Sequence, residues 1–151
     1  MTFVLGGQST HNLIGVHESL TRLVRKAITL TTVDFAVIEG VRSRVRQEQL
    51  VKAGASKTMD SKHLTGDAVD LAAWVGRRHS WDWPLYYEIA EAVRRAAIEE
   101  NVRIRWGGVW DRILNDIEGD LEHAVADYVG RRKALGKKAF LDGPHFERVD
   151  L

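Results

Sequence analysis

The chain has 151 residues, 44% of them hydrophobic and 28% charged, which is typical of one soluble globular domain with a single active site. Its 22 basic and 21 acidic residues give a formal net charge of +1, so the overall charge gives no reason to expect a nucleic-acid partner. No apolar run approaches the roughly 20 residues of a membrane span. Because cysteine is absent, disulfides and thiolate zinc ligands are excluded.

The first half of the chain predicts two helices and a strand. Helical spacing of apolar residues indicates a helix over residues 17–30. A short β-rich segment, 34–40, predicts a strand that ends at glycine. A second helix is expected over 44–53, with Val45, Leu50 and Val51 facing inward and Gly54 ending it.

The second half predicts three more strands and two more helices. Strands are expected at 69–75 and 102–106, and a helix that starts at Pro84 carries an apolar stripe. Residues 116–129 are also near helical periodicity. A turn at 142–144 is predicted to precede the last strand, 145–149. This order favours an α+β fold in one domain over 1–151, with helices packed on a small, mainly antiparallel sheet.

The segment from Ser61 to Asp70 is the most informative for chemistry. His63 and Asp70 are both good zinc ligands. On an uninterrupted strand these two side chains would face opposite ways, but Gly66 allows the chain to bend between them. We therefore expect His63 and Asp70 to meet at one metal site.

The C-terminal segment offers the remaining groups of such a site. A catalytic zinc needs a third protein ligand and an open position for water, and His145 follows a second restrictive turn. Asp142 is then placed to face the bound water as general base and acid. Glu147 shares the strand face of His145, where it either supports that histidine or is a solvated carboxylate, and it is the reserve catalytic carboxylate.

Two motifs, S-x-H-x-x-G-x-A-x-D and a distant D-x-x-H, carry a family resemblance. The chain is similar to the zinc-dependent D-Ala-D-Ala carboxypeptidase and L-alanyl-D-glutamate endopeptidase group, and most of all to bacteriophage endolysins. The resemblance covers most of the chain, including residues 40–42, 61–70, 106–111 and 142–145. It implies the hedgehog and D-Ala-D-Ala-peptidase type of fold, zinc at His63, Asp70 and His145, and catalysis by Asp142.

The resemblance also assigns Arg42, which would polarise the scissile carbonyl or bind substrate. A guanidinium there would stabilise the negative charge that grows during attack, with Arg44 and Arg46 as competitors. Residues 112–141, which include the basic cluster Arg131–Lys138, depart from the short phage examples.

Four further residues are expected to contact the substrate or to support the ligands. Ser61 is expected to order the loop, and Asp67 to bond local backbone donors rather than the metal. Trp106 and Trp110 are the better candidates for lining a cleft, because glycines lie between them.

The resemblance implies a phage-type endolysin that hydrolyses the L-alanyl-D-glutamate bond of peptidoglycan stem peptides with Zn²⁺. The alternatives are a D-Ala-D-Ala carboxypeptidase or dipeptidase, or a non-catalytic, zinc-stabilised binding domain. We expect a monomer without a separate wall-binding domain and without membrane insertion. We also expect synthesis in the host cytoplasm and release through a separate holin-like pore, because the N-terminus lacks a secretory signal.

Overall fold

The structure is a computed structural model that describes residues 2–150. Its five α-helices are α1 (Gly7–Asn12), α2 (Glu18–Leu30), α3 (Arg44–Lys52), α4 (Trp83–Glu100) and α5 (Leu121–Ala134). Its five strands are β1 (Phe35–Glu39), β2 (Ala68–Val75), β3 (Arg78–Ser80), β4 (Ile104–Gly107) and β5 (Asp142–Arg148). Short 3₁₀ turns lie at Lys62–Thr65 and Leu114–Asp116.

The strands form one antiparallel sheet in the order β1-β2-β5-β4, with β3 pairing with the end of β2. This arrangement confirms the predicted α+β class. The C-terminal strand β5 lies in the middle of the sheet, between β2 and β4. Residues far apart in the sequence therefore become neighbours at the sheet centre.

The two faces of the sheet carry different kinds of side chain. Phe35, Val37, Leu71 and Phe146 point to one face and join a single hydrophobic cluster with apolar side chains of α2 and α4. Side chains alternate along a strand, so the opposite face carries Asp70, and His145 lies directly beside it on β5. The polar residues of interest thus project from the face that α2 and α4 leave uncovered.

Several predicted elements are confirmed with small shifts of their ends. The helices predicted at 17–30, at 44–53 and after Pro84 are α2, α3 and α4, and the strand predicted at 69–75 is β2. Gly54 follows α3 with a φ of 77°, the left-handed conformation that ends helices. No helix within residues 2–150 has the length and apolar character that a bilayer crossing requires.

Other local predictions are wrong, and each has a physical reason. The helix predicted at 116–129 is α5, which begins only at Leu121, because Gly119 adopts a φ of 79° and the Asp120 side chain caps the Glu122 and His123 amides. Val45, predicted to face inward on α3, is 64% exposed. The buried residue of that helix is Gln47. The turn predicted at 142–144 is the first part of β5.

Two elements escaped prediction altogether. The short helix α1 has no apolar periodicity in its sequence GQSTHN. It is held instead by polar contacts with β1: the Val37 amide donates to Ser9 Oγ (2.9 Å), and Asn12 Nδ2 donates to the Val37 carbonyl (2.8 Å). These bonds satisfy part of the exposed edge of the sheet. Strand β3 spans only Arg78–Ser80 and exists through its pairing with β2.

Candidate metal centre

His63 is held in place by a turn whose conformation the local sequence dictates. Ser61 Oγ accepts a hydrogen bond from the His63 amide (3.2 Å) and so starts the 3₁₀ turn. Gly66 ends the turn with a φ of 77°, and an added Cβ would lie 2.7 Å from the Gly15 carbonyl oxygen. Only glycine fits this conformation without strain, so the predicted bend at Gly66 is present and turns the chain into β2.

Strand pairing brings the other two predicted ligands together. Asp70 of β2 and His145 of β5 are register partners. His63 Nε2 lies 3.3 Å from Asp70 Oδ2, and His145 Nδ1 lies 3.3 Å from Asp70 Oδ1. One possible ligand atom from each of the three residues falls within 4.8 Å of the others. The predicted convergence of these side chains is therefore present in the fold.

The unpaired atoms of this cluster fit a cation. Among residues 2–150, His63 Nε2 and Asp70 Oδ1 are buried without a hydrogen-bond partner. Such orphaned buried atoms are costly and rare in folded proteins. An ion accepting lone pairs from both histidines and from the carboxylate would satisfy them, and two imidazoles with one carboxylate are a donor set that suits zinc.

In each histidine, the ring nitrogen that points away from the cluster lies next to a hydrogen-bond acceptor. His63 Nδ1 lies 2.8 Å from the carbonyl oxygen of Gly40, and His145 Nε2 lies 2.9 Å from Glu147 Oε1. When each of these nitrogens donates its proton outward, His63 Nε2 and His145 Nδ1 present lone pairs to the cluster. Metal-binding histidines are commonly oriented by such acceptors. Glu147 is buried and lies where the sequence predicted it, beside His145.

The charged groups of the cluster strongly affect one another's pKa values. Burial alone would raise the pKa of Asp70, but its contacts with His145 and His63 outweigh burial and hold that pKa well below its usual range. Burial likewise opposes a charge on His145, whereas its contact with the Asp70 carboxylate and its hydrogen bond with Glu147 raise its pKa to about 9. The pocket therefore favours positive charge beside Asp70, whether a proton or a metal ion supplies it.

Asp142 reaches the same pocket through an irregularity in β5. Strict alternation would place Asp142 and His145 on opposite faces. However, the β4–β5 register jumps between Trp106 and Gly107, so that Gly107 pairs with Asp142. Burial, followed by the negative charge of Asp70, raises the pKa of Asp142, while His145, His63 and Arg42 act in the opposite direction. Asp142 thus faces the cluster as a carboxylate with a raised affinity for a proton.

Arg42, which the family resemblance assigned to the site, also lies against the cluster. Its guanidinium bonds Glu39 Oε1 through Nε (2.7 Å) and Gln47 Oε1 through Nη1 (2.7 Å). The remaining group, Nη2, lies 3.5 Å from Asp70 Oδ2. The competing residues Arg44 and Arg46 are exposed on α3.

Gln47 is the supporting residue that the sequence did not reveal. It is fully buried. Its Nε2 donates to Ser56 Oγ and to the Thr58 carbonyl, and its Oε1 accepts a hydrogen bond from Arg42 Nη1. A single sequence does not indicate which polar residue of a weakly amphipathic helix will be buried. The one local indication was that Val45 and Leu50 form a poor apolar stripe, so that a polar residue could face inward.

Of the other residues predicted to contact the substrate or to support the ligands, some lie beside the cluster and others do not. Ser61 orders the His63 turn as expected. Asp67 does not face the cluster: it accepts from Thr65 Oγ1 (2.6 Å) and Arg148 Nε (3.0 Å), which are side-chain donors rather than the predicted backbone donors. Trp110 is half-buried with its ring 5.1 Å from that of His145.

The prediction that Trp106 lines a cleft is wrong. The side chain is fully buried and stacks on Phe146 in the core. Its Nε1 donates to the Gly143 carbonyl (2.7 Å), next to Asp142. Trp106 therefore stabilises the irregular start of β5 and cannot contact a substrate.

Two histidines, one aspartate and a separate carboxylate on the uncovered face of a small antiparallel sheet define a class of site. Such sites bind one metal ion and are used by hydrolases to activate water. The family model described as phage L-alanyl-D-glutamate peptidase matches residues 1–149. The chain belongs to this phage L-alanyl-D-glutamate peptidase family.

Individual relatives are described by the same peptidase activity as the family. The chain is 28% identical over 153 aligned positions to the L-alanyl-D-glutamate peptidase of Escherichia phage T5, covering 99% of this chain and 100% of that protein. It is 27% identical to the L-alanyl-D-glutamate peptidase of Listeria phage A118, over 56% of this chain and 29% of the relative. The crystal structure of the Serratia marcescens L-Ala D-Glu endopeptidase ChiX is 38% identical and has a TM-score of 0.74, over 97% of this chain and 90% of that one.

Proposed function

We propose that this peptidase is a zinc enzyme of the endolysin type, which hydrolyses the bond between L-alanine and D-glutamate in peptidoglycan stem peptides. The observation that carries the zinc assignment is the convergence of His63, Asp70 and His145, with ligand atoms within 4.8 Å of one another. The family and its relatives support the choice of bond. They favour it over the D-Ala-D-Ala bond and over a binding domain without turnover.

In this proposal, His63, Asp70 and His145 would hold the zinc ion, which would supply an acidified water and polarise the scissile carbonyl. Asp142 accepts the proton of the attacking water. It then donates that proton to the leaving nitrogen of D-glutamate, so that the amide bond breaks into a carboxylate and an amine. Its raised pKa suits this exchange, because a carboxyl that holds a proton more readily is a better acid in the second step.

Arg42 is proposed to stabilise the negative charge that develops on the carbonyl oxygen. Two of its nitrogens are occupied by Glu39 and Gln47, which fix the plane of the guanidinium. Nη2, beside Asp70, is the group left to face a substrate. A donor that is already oriented stabilises a transition state without the cost of reorganisation.

The reaction can be tested with purified protein and isolated peptidoglycan. New amino termini on D-glutamate should appear, detected by mass spectrometry of the fragments. Dialysis against a chelator should abolish this release, and stoichiometric Zn²⁺ should restore it. Release of free D-alanine with the L-alanyl-D-glutamate bond left intact would contradict the choice of bond, and full activity in metal-depleted protein would contradict the zinc mechanism.

Glu147 provides a separate prediction about metal retention. We expect Glu147→Ala to weaken zinc binding by about 10–100-fold, because His145 loses the acceptor that orients it. Glu147→Gln keeps an acceptor oxygen and should recover most of the affinity. Competition with a chromophoric chelator measures this, with the exposed Glu118→Ala as control. An unchanged affinity in Glu147→Ala would exclude the orienting role.

We further propose that residues 1–151 act as one catalytic domain and as a monomer. Synthesis in the host cytoplasm and release through a holin-like pore are part of the same proposal. Expression of the protein alone should then leave cells intact, whereas co-expression with a pore-forming protein should lyse them. Lysis without a pore would contradict this route.

A further inference from the structure

Arg105 is a charged residue beside the metal centre that the proposed mechanism does not use. It lies on β4 as the register partner of Glu147, and register partners in an antiparallel pair project from the same face of the sheet. Glu147 and His145 are two positions apart on β5 and share that face as well. At the usual spacings within a sheet, the Cα atoms of Arg105 and His145 are about 8 Å apart. Arg105 therefore belongs to the uncovered face that carries the metal centre.

The guanidinium of Arg105 is weakly partnered and accessible. Nη1 lies 3.7 Å from Glu147 Oε2, which is close enough for an ion pair but too long for a hydrogen bond. Nε is buried without a hydrogen-bond partner among residues 2–150. The side chain is nevertheless 33% exposed, so solvent reaches it from the uncovered face. The two Nη groups are left as donors for an incoming anion.

Arg42, the other arginine beside the cluster, differs in each of these respects. Its side chain is only 8% exposed. Glu39 and Gln47 accept hydrogen bonds from its Nε and Nη1, and its Nη2 lies beside Asp70. Arg42 is thus a fixed donor with one role, whereas Arg105 has no strong partner and is free to pair with a charged group of the substrate.

The substrate of the proposed reaction carries an anion close to the bond that breaks. D-Glutamate gives its nitrogen to the scissile bond and one of its two carboxyl groups to the onward peptide bond. The other carboxyl group stays free and is ionised at neutral pH. It lies within about 3–6 Å of the scissile nitrogen. The planar fork of a guanidinium matches such a carboxylate with two parallel hydrogen bonds.

We propose that Arg105 is a specificity-determining residue that binds the free carboxylate of the D-glutamate residue through its Nη groups. The inference rests on the proposed function, because that substrate supplies the carboxylate. The leaving half of the peptide then extends from the metal centre across β5 toward β4. Because Glu147 is also an acceptor, the substrate carboxylate takes the side of the guanidinium that faces away from Glu147.

Two stem peptides that differ only at this carboxyl group test the proposal, one with the free acid and one with a carboxamide. At saturating Zn²⁺ the native protein should cleave the acid with a kcat/KM about 10–100-fold above that for the amide. Arg105→Met should lower kcat/KM for the acid by about the same factor and change that for the amide by less than about threefold. Arg105→Lys keeps the charge and should recover part of the loss.

The same comparison detects an indirect effect through Glu147 and His145. Damage to the metal centre would slow the cleavage of both peptides equally. Equal losses in Arg105→Met, or a native protein that does not distinguish acid from amide, would therefore overturn the proposal. Arg95→Ala removes an exposed arginine of α4, on the covered side of the sheet, and should leave both rates unaffected.

A binding measurement separates this inference from the proposed function. The probes are the two product peptides that begin at D-glutamate, in the acid and amide forms, titrated into the zinc-loaded native protein. The acid should bind at least about tenfold more tightly, and Arg105→Met should remove the difference. If neither stem peptide is cleaved, the proposed function fails and Arg105 is still judged by this difference. If the two forms bind equally to the native protein, the assignment of Arg105 is wrong.

Discussion

Asp142→Ala should lose about 10²–10⁴-fold in kcat while it retains the zinc content of the unmodified protein, because the change removes proton transfer rather than a ligand. Steady-state hydrolysis of a stem peptide gives the rate, and elemental analysis of the dialysed protein gives the metal. Asp142→Asn has nearly the same shape and should be equally slow. A variant that loses zinc together with activity would make Asp142 a ligand instead.

The raised pKa of Asp142 adds a stability signature in the metal-free protein. A carboxyl whose folded pKa exceeds its unfolded value favours folding only when it is protonated, and this contribution disappears as the pH rises through the folded pKa. At neutral pH the ionised group therefore destabilises the fold. Asp142→Asn should leave the metal-free Tm unchanged or raise it at pH 7, which is typical of a residue kept for function. A marked fall in Tm would indicate a structural role.

His63→Ala should abolish stable zinc binding and bring hydrolysis below detection. The change removes one of three proposed ligands and also leaves the Gly40 carbonyl without its histidine partner. Metal content after gel filtration, together with activity in the presence of added Zn²⁺, measures both effects. Circular dichroism should show that the fold persists, since the apolar core on the other sheet face is untouched.

A histidine outside the cluster provides the matched control for this loss. His123 is exposed on α5, so His123→Ala should keep the zinc stoichiometry and rate of the unmodified protein. If His63→Ala retained one equivalent of zinc and normal turnover, the metal assignment would be wrong. Failure of both variants would indicate general damage and would direct the test to His63→Gln.

The local parts of the site could be read from the sequence. Ser61, His63 and Gly66 lie within a few residues, and their roles follow from hydrogen-bonding capacity and from the conformational freedom of glycine. The longest amphipathic helix, α4, was predictable for a similar reason, because its apolar spacing repeats over many turns. The start of α5 was harder to predict, because the left-handed Gly119 and the capping Asp120 delay the helix although the apolar periodicity begins earlier.

Other features depend on which strands pair. Nothing near His145 indicates that it will lie opposite Asp70, and family resemblance rather than spacing supplied that link. Gln47 became buried because Arg42 and the segment at 56–58 surround it. Trp106 was predicted to line a cleft, but it lies in the core because its side chain projects from the face of β4 that the helices cover. Neighbouring residues of a strand face opposite sides, and the sequence alone does not show which side of β4 is covered.

By itself the sequence determined the chemical types of the proposed ligands, the bend that presents His63, and the class of fold, since these follow from side-chain chemistry and short-range periodicity. Only the tertiary structure decided that β5 lies between β2 and β4, that its irregular start turns Asp142 toward His63, Asp70 and His145, and that Trp106 points into the core. The physical reason is that these relations depend on long-range strand pairing and burial, whose free energies arise from residues distant in the chain.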